Sequence, residues 1–254
     1  MSNTATEWMK MPFSFDNGPA ARAAIGLIAL ASDMVCEPEL STILPRDGVG
    51  LYVNRIQMPK VATVNTLSQI KTHLTDAASL LVPDDHLDVI AFGCTAASIF
   101  VGTETVAEQI RLGRPGVACT DPITAAIKGL KALGCQRIAL LTPNIDEVNV
   151  EMEGYMVKQG FDLIAKGSFK QLGDPQMCRI PPDAIYNAGL TLGQAEVDGL
   201  FISCTALRVS SIIADLEATL GKPVVTSNQA LAWDCLRLAG CSDRVEGFGR
   251  LLTI

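Results

Sequence analysis

The run DVIAFGCTA at residues 88–96 returns as DGLFISCTA at residues 198–206. Each copy has an acidic residue, then an apolar run, then cysteine, threonine and alanine. A short apolar run closed by a polar punctuation point reads as a buried strand. The cysteine falls where the chain leaves that strand and a helix is expected to begin. The repeat extends further, for IGLIALASD at 25–33 aligns with IALLTPNID at 138–146, and GRPGV at 113–117 aligns with GKPVV at 221–225. A chain built this way is expected to fold as α/β, with two similar parallel-sheet half-domains related by pseudo-two-fold symmetry and a cleft between them.

Periodicity supplies the elements. Strands are predicted at 24–30, 49–56, 88–93, 116–119, 136–142, 162–165, 198–203 and 223–226. Helices are predicted at 64–82, 96–112, 122–133, 149–159, 182–192, 206–220 and 228–239. Strands alternating with helices imply parallel sheets with right-handed crossovers. The first half is expected to span 1–121 and to be completed by 226–254, with 122–225 as the second half. Aromatics are only 5% of a chain that is 48% hydrophobic, so the core is expected to be aliphatic.

Charge and cysteine usage exclude several function classes. The net charge is −7 with no basic run, which speaks against a nucleic-acid-binding face. No apolar run is long enough to span a bilayer, and the N-terminus lacks a signal pattern, so a cytoplasmic protein without a membrane partner is expected. The eight cysteines form no C-x-x-C pair. His73 and His86 lie away from the cysteine motifs, so no metal site is expected. No Walker loop, G-x-G-x-x-G or G-x-S-x-G elbow is present, and no cofactor is expected.

Cys94 and Cys204 are the candidate reactive groups. Helix N-termini carry free N–H groups and partial positive charge, which favour a thiolate. The N–H groups of Thr95, Ala96, Thr205 and Ala206, with the two threonine hydroxyls, are candidates for holding a carboxylate or an enolate oxygen. Asp33 follows the first strand. It is expected either to enter the cleft beside Cys94 or to cap a helix. Ser32 beside it, and Asn144 at the matching point of the second half, are further candidate substrate contacts. Cys119, Cys135, Cys178, Cys235 and Cys241 read as packing, and Cys36 stands near the first loop.

The paired cysteine motifs on duplicated halves that open with IGLIALAS resemble the aspartate/glutamate racemase superfamily. The stretches LTP at 141–143, DEVN at 146–149 and IPP at 180–182 are similar to the branch of maleate cis-trans isomerase, arylmalonate decarboxylase and the related ectoine-utilisation protein. That resemblance implies two catalytic thiols acting without a cofactor. In the isomerases one adds to a double bond and the other delivers a proton. In the racemases the two work on opposite faces of one carbon. The decarboxylases keep only the second-half cysteine, so Cys94 points to isomerisation or racemisation of a small carboxylate. The other readings are an ectoine-catabolic or decarboxylase-like enzyme, and a binding protein without turnover. A homo-oligomer is expected. The chain departs from the isomerases at Asp33 and Asp174, where they usually have Asn, and at Asn144, where they usually have Tyr. A carboxylate facing a dianion is repulsive, so the substrate is expected to be less anionic than a dicarboxylate or to carry an amine.

Overall fold

A computed structural model describes residues 8–57 and 69–254. In chain order it contains β1 (Ala23–Leu30), α1 (Cys36–Ile43), β2 (Val49–Ile56), α2 (Leu74–Ser79), β3 (Val89–Gly93), α3 (Thr95–Val101), α4 (Thr103–Gly113), β4 (Ala118–Thr120), α5 (Pro122–Ala132) and β5 (Arg137–Asn144). It continues with α6 (Asp146–Lys158), β6 (Asp162–Gln171), α7 (Asp174–Met177), α8 (Pro182–Gly193), β7 (Gly199–Ile202), α9 (Ile213–Leu220), β8 (Val224–Thr226) and α10 (Ser227–Leu238). Two four-stranded parallel sheets result, ordered β2-β1-β3-β4 and β6-β5-β7-β8. The second order is the first with every index raised by four, which is the sequence repeat expressed as topology. In each sheet the strand order reverses between its two central strands. That is the place where open parallel sheets hold ligands, beyond the carboxyl ends of the strands.

The repeated aspartates explain part of the register. Asp88 Oδ2 accepts from the Ala24 N–H at 2.7 Å, and Asp198 Oδ2 accepts from the Gln136 and Arg137 N–H groups at 3.0 and 2.7 Å. In each half the acid at the foot of one central strand binds the first amides of the other. The two central strands of each half are thereby pinned side by side, with Ala29 of β1 opposite Gly93 just before Cys94, and Leu141 of β5 opposite Ile202 two residues before Cys204.

Each half gives a helix to the other. α5 leaves β4 of the first sheet, yet Ile123, Ala126, Ile127 and Leu130 are buried with Ile138, Leu140 and Phe201 of the second. α10 leaves β8 of the second sheet, yet Leu231, Ala232, Cys235 and Leu236 are buried with Ile25, Leu27 and Leu40 of the first. Both crossings carry strong start signals. Asp121 accepts from the Ile123 and Thr124 N–H groups ahead of Pro122, and Thr226 forms a reciprocal capping box with Gln229. Burying a Leu or Ile side chain contributes roughly 1.5–3 kcal/mol, so several on each exchanged helix bind the halves firmly. Asp234 of α10, 3% exposed, is paired with Lys128 Nζ at 2.8 Å and with Thr120 Oγ1 across the same junction.

Four predicted elements differ. The helix expected at 96–112 is two helices, because Gly102 adopts φ +91°, a region that L side chains rarely enter. The helix expected at 64–82 lies partly outside the described residues; the described part is a 3₁₀ turn at Gln69–His73 followed by α2. It ends at Ser79 because Pro83 disfavours helical backbone at Val82, which sits at φ +42°. The strand expected at 162–165 continues to Gln171. The helix expected at 206–220 begins only at Ile213, after a 3₁₀ turn at Ser210–Ile212. α1 had no periodic signal of its own and was not predicted.

Candidate active site

The cysteine loops are built differently. Cys94 is the N-cap of α3, with extended backbone at φ −150°, and its Sγ accepts from the Ala97 N–H at 3.5 Å. Here the expected strand-to-helix junction is present. At Cys204 it is not. No helix follows, and the residue sits at φ +123°, a region that a side chain makes strained. The helix-terminus argument therefore does not apply to Cys204, although the Ala206 N–H is hydrogen-bonded to its sulfur.

Other parts of the fold hold the second loop in place. Ser227, the first residue of α10, accepts from the Cys204 N–H at 2.9 Å and is 2.9 Å from Thr95 Oγ1. One hydroxyl thus joins the two motifs. Thr205 Oγ1 donates to the Gly93 carbonyl of the first motif at 3.3 Å. Glu39 of α1 is 7% exposed and accepts from the Val209 and Ser210 N–H groups at 2.6 and 2.8 Å through one oxygen. Its other oxygen accepts from Asn228 Nδ2 at 2.8 Å, and the same amide donates to the Thr205 carbonyl at 2.9 Å. A carboxylate of the first half therefore clamps the loop that carries the cysteine of the second. Neither Glu39 nor Ser227 was singled out from the sequence. A buried acid on an unpredicted helix leaves no local signal.

Asp33 takes one of the two roles the sequence left open, that of a helix cap. It is 1% exposed, and Oδ1 accepts from the Val35 and Cys36 N–H groups at 2.7 and 3.0 Å, which starts α1. Oδ2 is buried with no hydrogen-bond partner. Ser32 Oγ donates to Asp174 Oδ2 at 2.5 Å. This bond brings α7, from the second repeat, against the first-strand loop. Burial raises Asp174 from 3.8 to about 6, against the Ser32 hydrogen bond, and the neighbouring Asp33 adds to the rise.

Both thiols are driven toward the protonated form. Burial is the main cause for each, with Asp174 next among the charges and Asp33 after it. The N–H groups at Ala96 and Ala97, and at Ala206, oppose this without cancelling it. The expectation of an intrinsically lowered thiol pKa fails because desolvation and two carboxylates outweigh a few amide dipoles. Cys204 also feels Cys94, so the two sulfurs share one electrostatic neighbourhood. Cys36 and Cys178 border it: Cys36 lies against Gly93, and Cys178 packs with Val35, Met177, Ala206 and Cys204. Both are raised by burial and both feel Asp33.

Asn144 ends β5, beside the strand that delivers Cys204. Its carbonyl accepts from Asn149 Nδ2 and Ser168 Oγ, and its own Nδ2 is buried without a partner. No hydrogen bond ties Asn144 to either thiol. Ala96 is half-buried and Ala206 buried, each two residues beyond its cysteine. Among the described residues no group of three His, Cys, Asp or Glu side chains is arranged to hold a metal, and no helix is long and apolar enough to cross a membrane.

Two central strands per sheet, each ending in a polar loop, with a cysteine from each half in one buried polar cluster, define a two-half α/β protein with a thiol site at its junction. The chain belongs to the arylmalonate decarboxylase family, whose sequence model matches residues 39–252. It is 30% identical over 229 residues to arylmalonate decarboxylase of Bordetella bronchiseptica, covering 84% of this chain and 93% of that one. It is 26% identical over 239 residues to maleate isomerase of Nocardia farcinica, covering 90% of this chain and 94% of that one. In structure it is similar to a cysteine-to-serine mutant of the Nocardia farcinica maleate cis-trans isomerase, with a TM-score of 0.82 at 24% identity, covering 91% of this chain and 98% of that one.

Proposed function

We propose that the protein is an isomerase or racemase that acts on a small carboxylate with Cys94 and Cys204 and needs no cofactor. The observation that carries this reading is the placement of one thiol from each half in a single buried cluster, bridged by Ser227 and flanked by Asp33 and Asp174. The structural relative from Nocardia farcinica holds a covalent succinylcysteine intermediate, which is the product expected when a thiol adds across a double bond.

In that chemistry one cysteine, as thiolate, forms a C–S bond while the other gives its proton to the adjacent carbon. The former double bond then rotates as a single bond. The second thiolate takes a proton back and the C–S bond breaks, restoring both cysteines. In racemisation one thiolate removes a proton from carbon, and the other thiol returns one to the opposite face. Either route needs one thiol to lose its proton first, against the burial that favours the neutral form. Thr95, Ala96, Thr205 and Ala206 are assigned to substrate through their backbone, since the Thr205 hydroxyl is donated to Gly93. Ser32, Asp33 and Asn144 are assigned to the polar substrate groups. We further assign residues 1–121 with 226–254 to one half and 122–225 to the other, supported by the exchanged packing of α5 and α10. A cytoplasmic homo-oligomer completes the reading.

Turnover of maleate and of enantiopure amino acids by Cys94→Ser and Cys204→Ser proteins tests this. Each change is expected to lower kcat by roughly 10³-fold or more while ligand binding persists. A variant that retains wild-type turnover would remove its cysteine from the mechanism. A single essential cysteine, Cys204, with loss of CO₂ from a malonate would favour the decarboxylase reading instead, which the 30% identity to arylmalonate decarboxylase supports.

A further inference from the structure

Among the described residues, every exposed aromatic side chain lies on the arm that precedes β1. Trp8 is 101% exposed and Phe15 91%, and Met9, Met11 and Phe13 between them are exposed as well. Residues 8–15 belong to no helix or strand. Met9, Met11, Phe13 and Phe15 alternate with Lys10, Pro12 and Ser14. In extended backbone that spacing puts the four apolar side chains on one side. The Phe13 and Phe15 rings meet edge to face, with centroids 5.1 Å apart. A contiguous apolar face of this kind, turned to water, marks an interaction surface.

A groove of matching character lies on the second half. Between α6 and β6, the outer strand of its sheet, is an open cavity of about 290 Å³ lined by Leu140, Thr142, Asn149, Val150 and Ser168. A cavity of about 150 Å³ holds a benzene ring, so there is room for an aromatic side chain. Apolar surface continues alongside, for Val150 and Val157 of α6 and Ile164 of β6 are exposed. The polar groups of the groove are already bonded. Thr142 Oγ1 donates to Asn149 Oδ1, and Asn149 Nδ2 and Ser168 Oγ donate to the Asn144 carbonyl. At the rim Lys166 pairs with Glu153 at 2.5 Å and Lys170 with Asp146 at 3.0 Å. Those four charges cancel, so the groove suits an apolar occupant better than an ion. Within one copy the two features do not meet: the arm leads into β1 of the first sheet, and its side chains stay exposed.

We propose that residues 8–15 of one copy seat in the α6–β6 groove of a second copy, and that the exchange is reciprocal. This rests on the homo-oligomer of the reading above and gives it an interface. Area favours a second copy as the partner. Buried aromatic side chains remove about 150–250 Å² each from water. Three from each arm, with the surface they cover, exceed the roughly 1,000 Å² that a specific interface needs. A two-fold arrangement makes each copy both donor and acceptor, so the contact closes on itself. Charge argues against a lipid surface instead. Lys10 is the only cation in residues 8–21 and the chain carries −7, whereas segments that bind membrane surfaces carry clusters of basic residues.

Sedimentation velocity of the full chain is expected to show the mass of two 27.0 kDa chains. Removing residues 1–15, or making Trp8→Ser/Phe13→Ser/Phe15→Ser in the full chain, is expected to weaken the dimer by roughly thirtyfold or more, the effect of losing a hot-spot aromatic. Val150→Arg, on the other side of the contact, is expected to weaken it by about tenfold or more. These side chains are exposed in one copy, so each variant is expected to keep the wild-type circular dichroism. A photoreactive benzoylphenylalanine in place of Phe13 is expected to cross-link to residues 146–170 of a second chain, in a product of doubled mass. A monomeric full chain would overturn the proposal and the homo-oligomer together. A dimer that survives all three changes would overturn the proposal and leave the homo-oligomer standing. A cross-link confined to a single chain, or arm-dependent binding of the monomer to phosphatidylcholine–phosphatidylglycerol vesicles, would also overturn it.

Discussion

The two cysteine loops descend from one sequence pattern and are held by different means. The Cys94 loop is local: an extended residue caps a helix that starts at once, and the helix supplies N–H groups to the sulfur. The Cys204 loop is imposed from outside. Its cysteine sits at φ +123°, and Glu39, Asn228 and Ser227 hold it from α1 and α10. A duplicated motif therefore guarantees a duplicated strand end but not a duplicated loop. The half that lost its helix start depends on the other half for its shape.

Removing the outside support is the strongest way to separate the loops. Glu39→Ala leaves the Val209 and Ser210 N–H groups and the Asn228 amide without their acceptor. It is expected to lower stability by about 3–4 kcal/mol, as for other buried charged hydrogen-bonding groups. Hydrogen exchange should show the loss of protection concentrated at residues 204–210, with 94–98 little affected. Equal loosening of both loops would erase the contrast.

A smaller effect is expected at Asp174, which starts α7 and acts on the sulfurs of both loops. Its pKa is raised in the folded protein from 3.8 to about 6. The folded state thus holds this proton more tightly than the unfolded chain does. The corresponding stability is full below about pH 4 and is lost as pH rises through about 6. Asp174→Asn, which keeps an acceptor for Ser32, is expected to stabilise by about 2–3 kcal/mol at pH 7.5 and by little at pH 4. Urea unfolding at the two pH values reads this, and a gain of equal size at both would mean that the acid is not the cause.

Backbone strain gives the next test. Cys204→Gly is expected to be more stable than Cys204→Ala by about 1–2 kcal/mol, because glycine enters positive φ freely. At Cys94, where φ is −150°, glycine relieves no strain and only the usual N-cap preference of a few tenths to about 1 kcal/mol separates it from alanine. Equal Gly–Ala differences at the two sites would show that the second loop relaxes rather than stores strain.

The smallest effect sharpens what the loops share. Asp174 is the leading charge on both sulfurs, so Asp174→Asn is expected to speed iodoacetamide labelling of Cys94 and Cys204 alike, by up to about tenfold. Cys235, raised by burial and then by Asp234, serves as the control and should not change. Acceleration at one motif cysteine alone would mean that the common electrostatic neighbourhood does not exist.

Sequence by itself determined the repeat, the parallel α/β class and the two cysteines at strand ends. These follow from short-range physics: apolar runs of strand length, a turn residue after each, and a duplicated spacing that forces duplicated topology. It also placed Asp33 and Ser32 at the first-strand end. The tertiary structure decided the rest. Nothing near Cys204 says that its helix will be missing, because the loop is shaped by Glu39, 165 residues earlier in the chain, and by the start of α10. Nothing in the local sequence says that both thiols will be held protonated. A helix N-terminus is visible in sequence, whereas burial and the meeting of Asp33 with Asp174 exist only once two distant segments have packed. The contacts that set the charge around the thiols are long-range, and long-range contacts are what a linear pattern does not record.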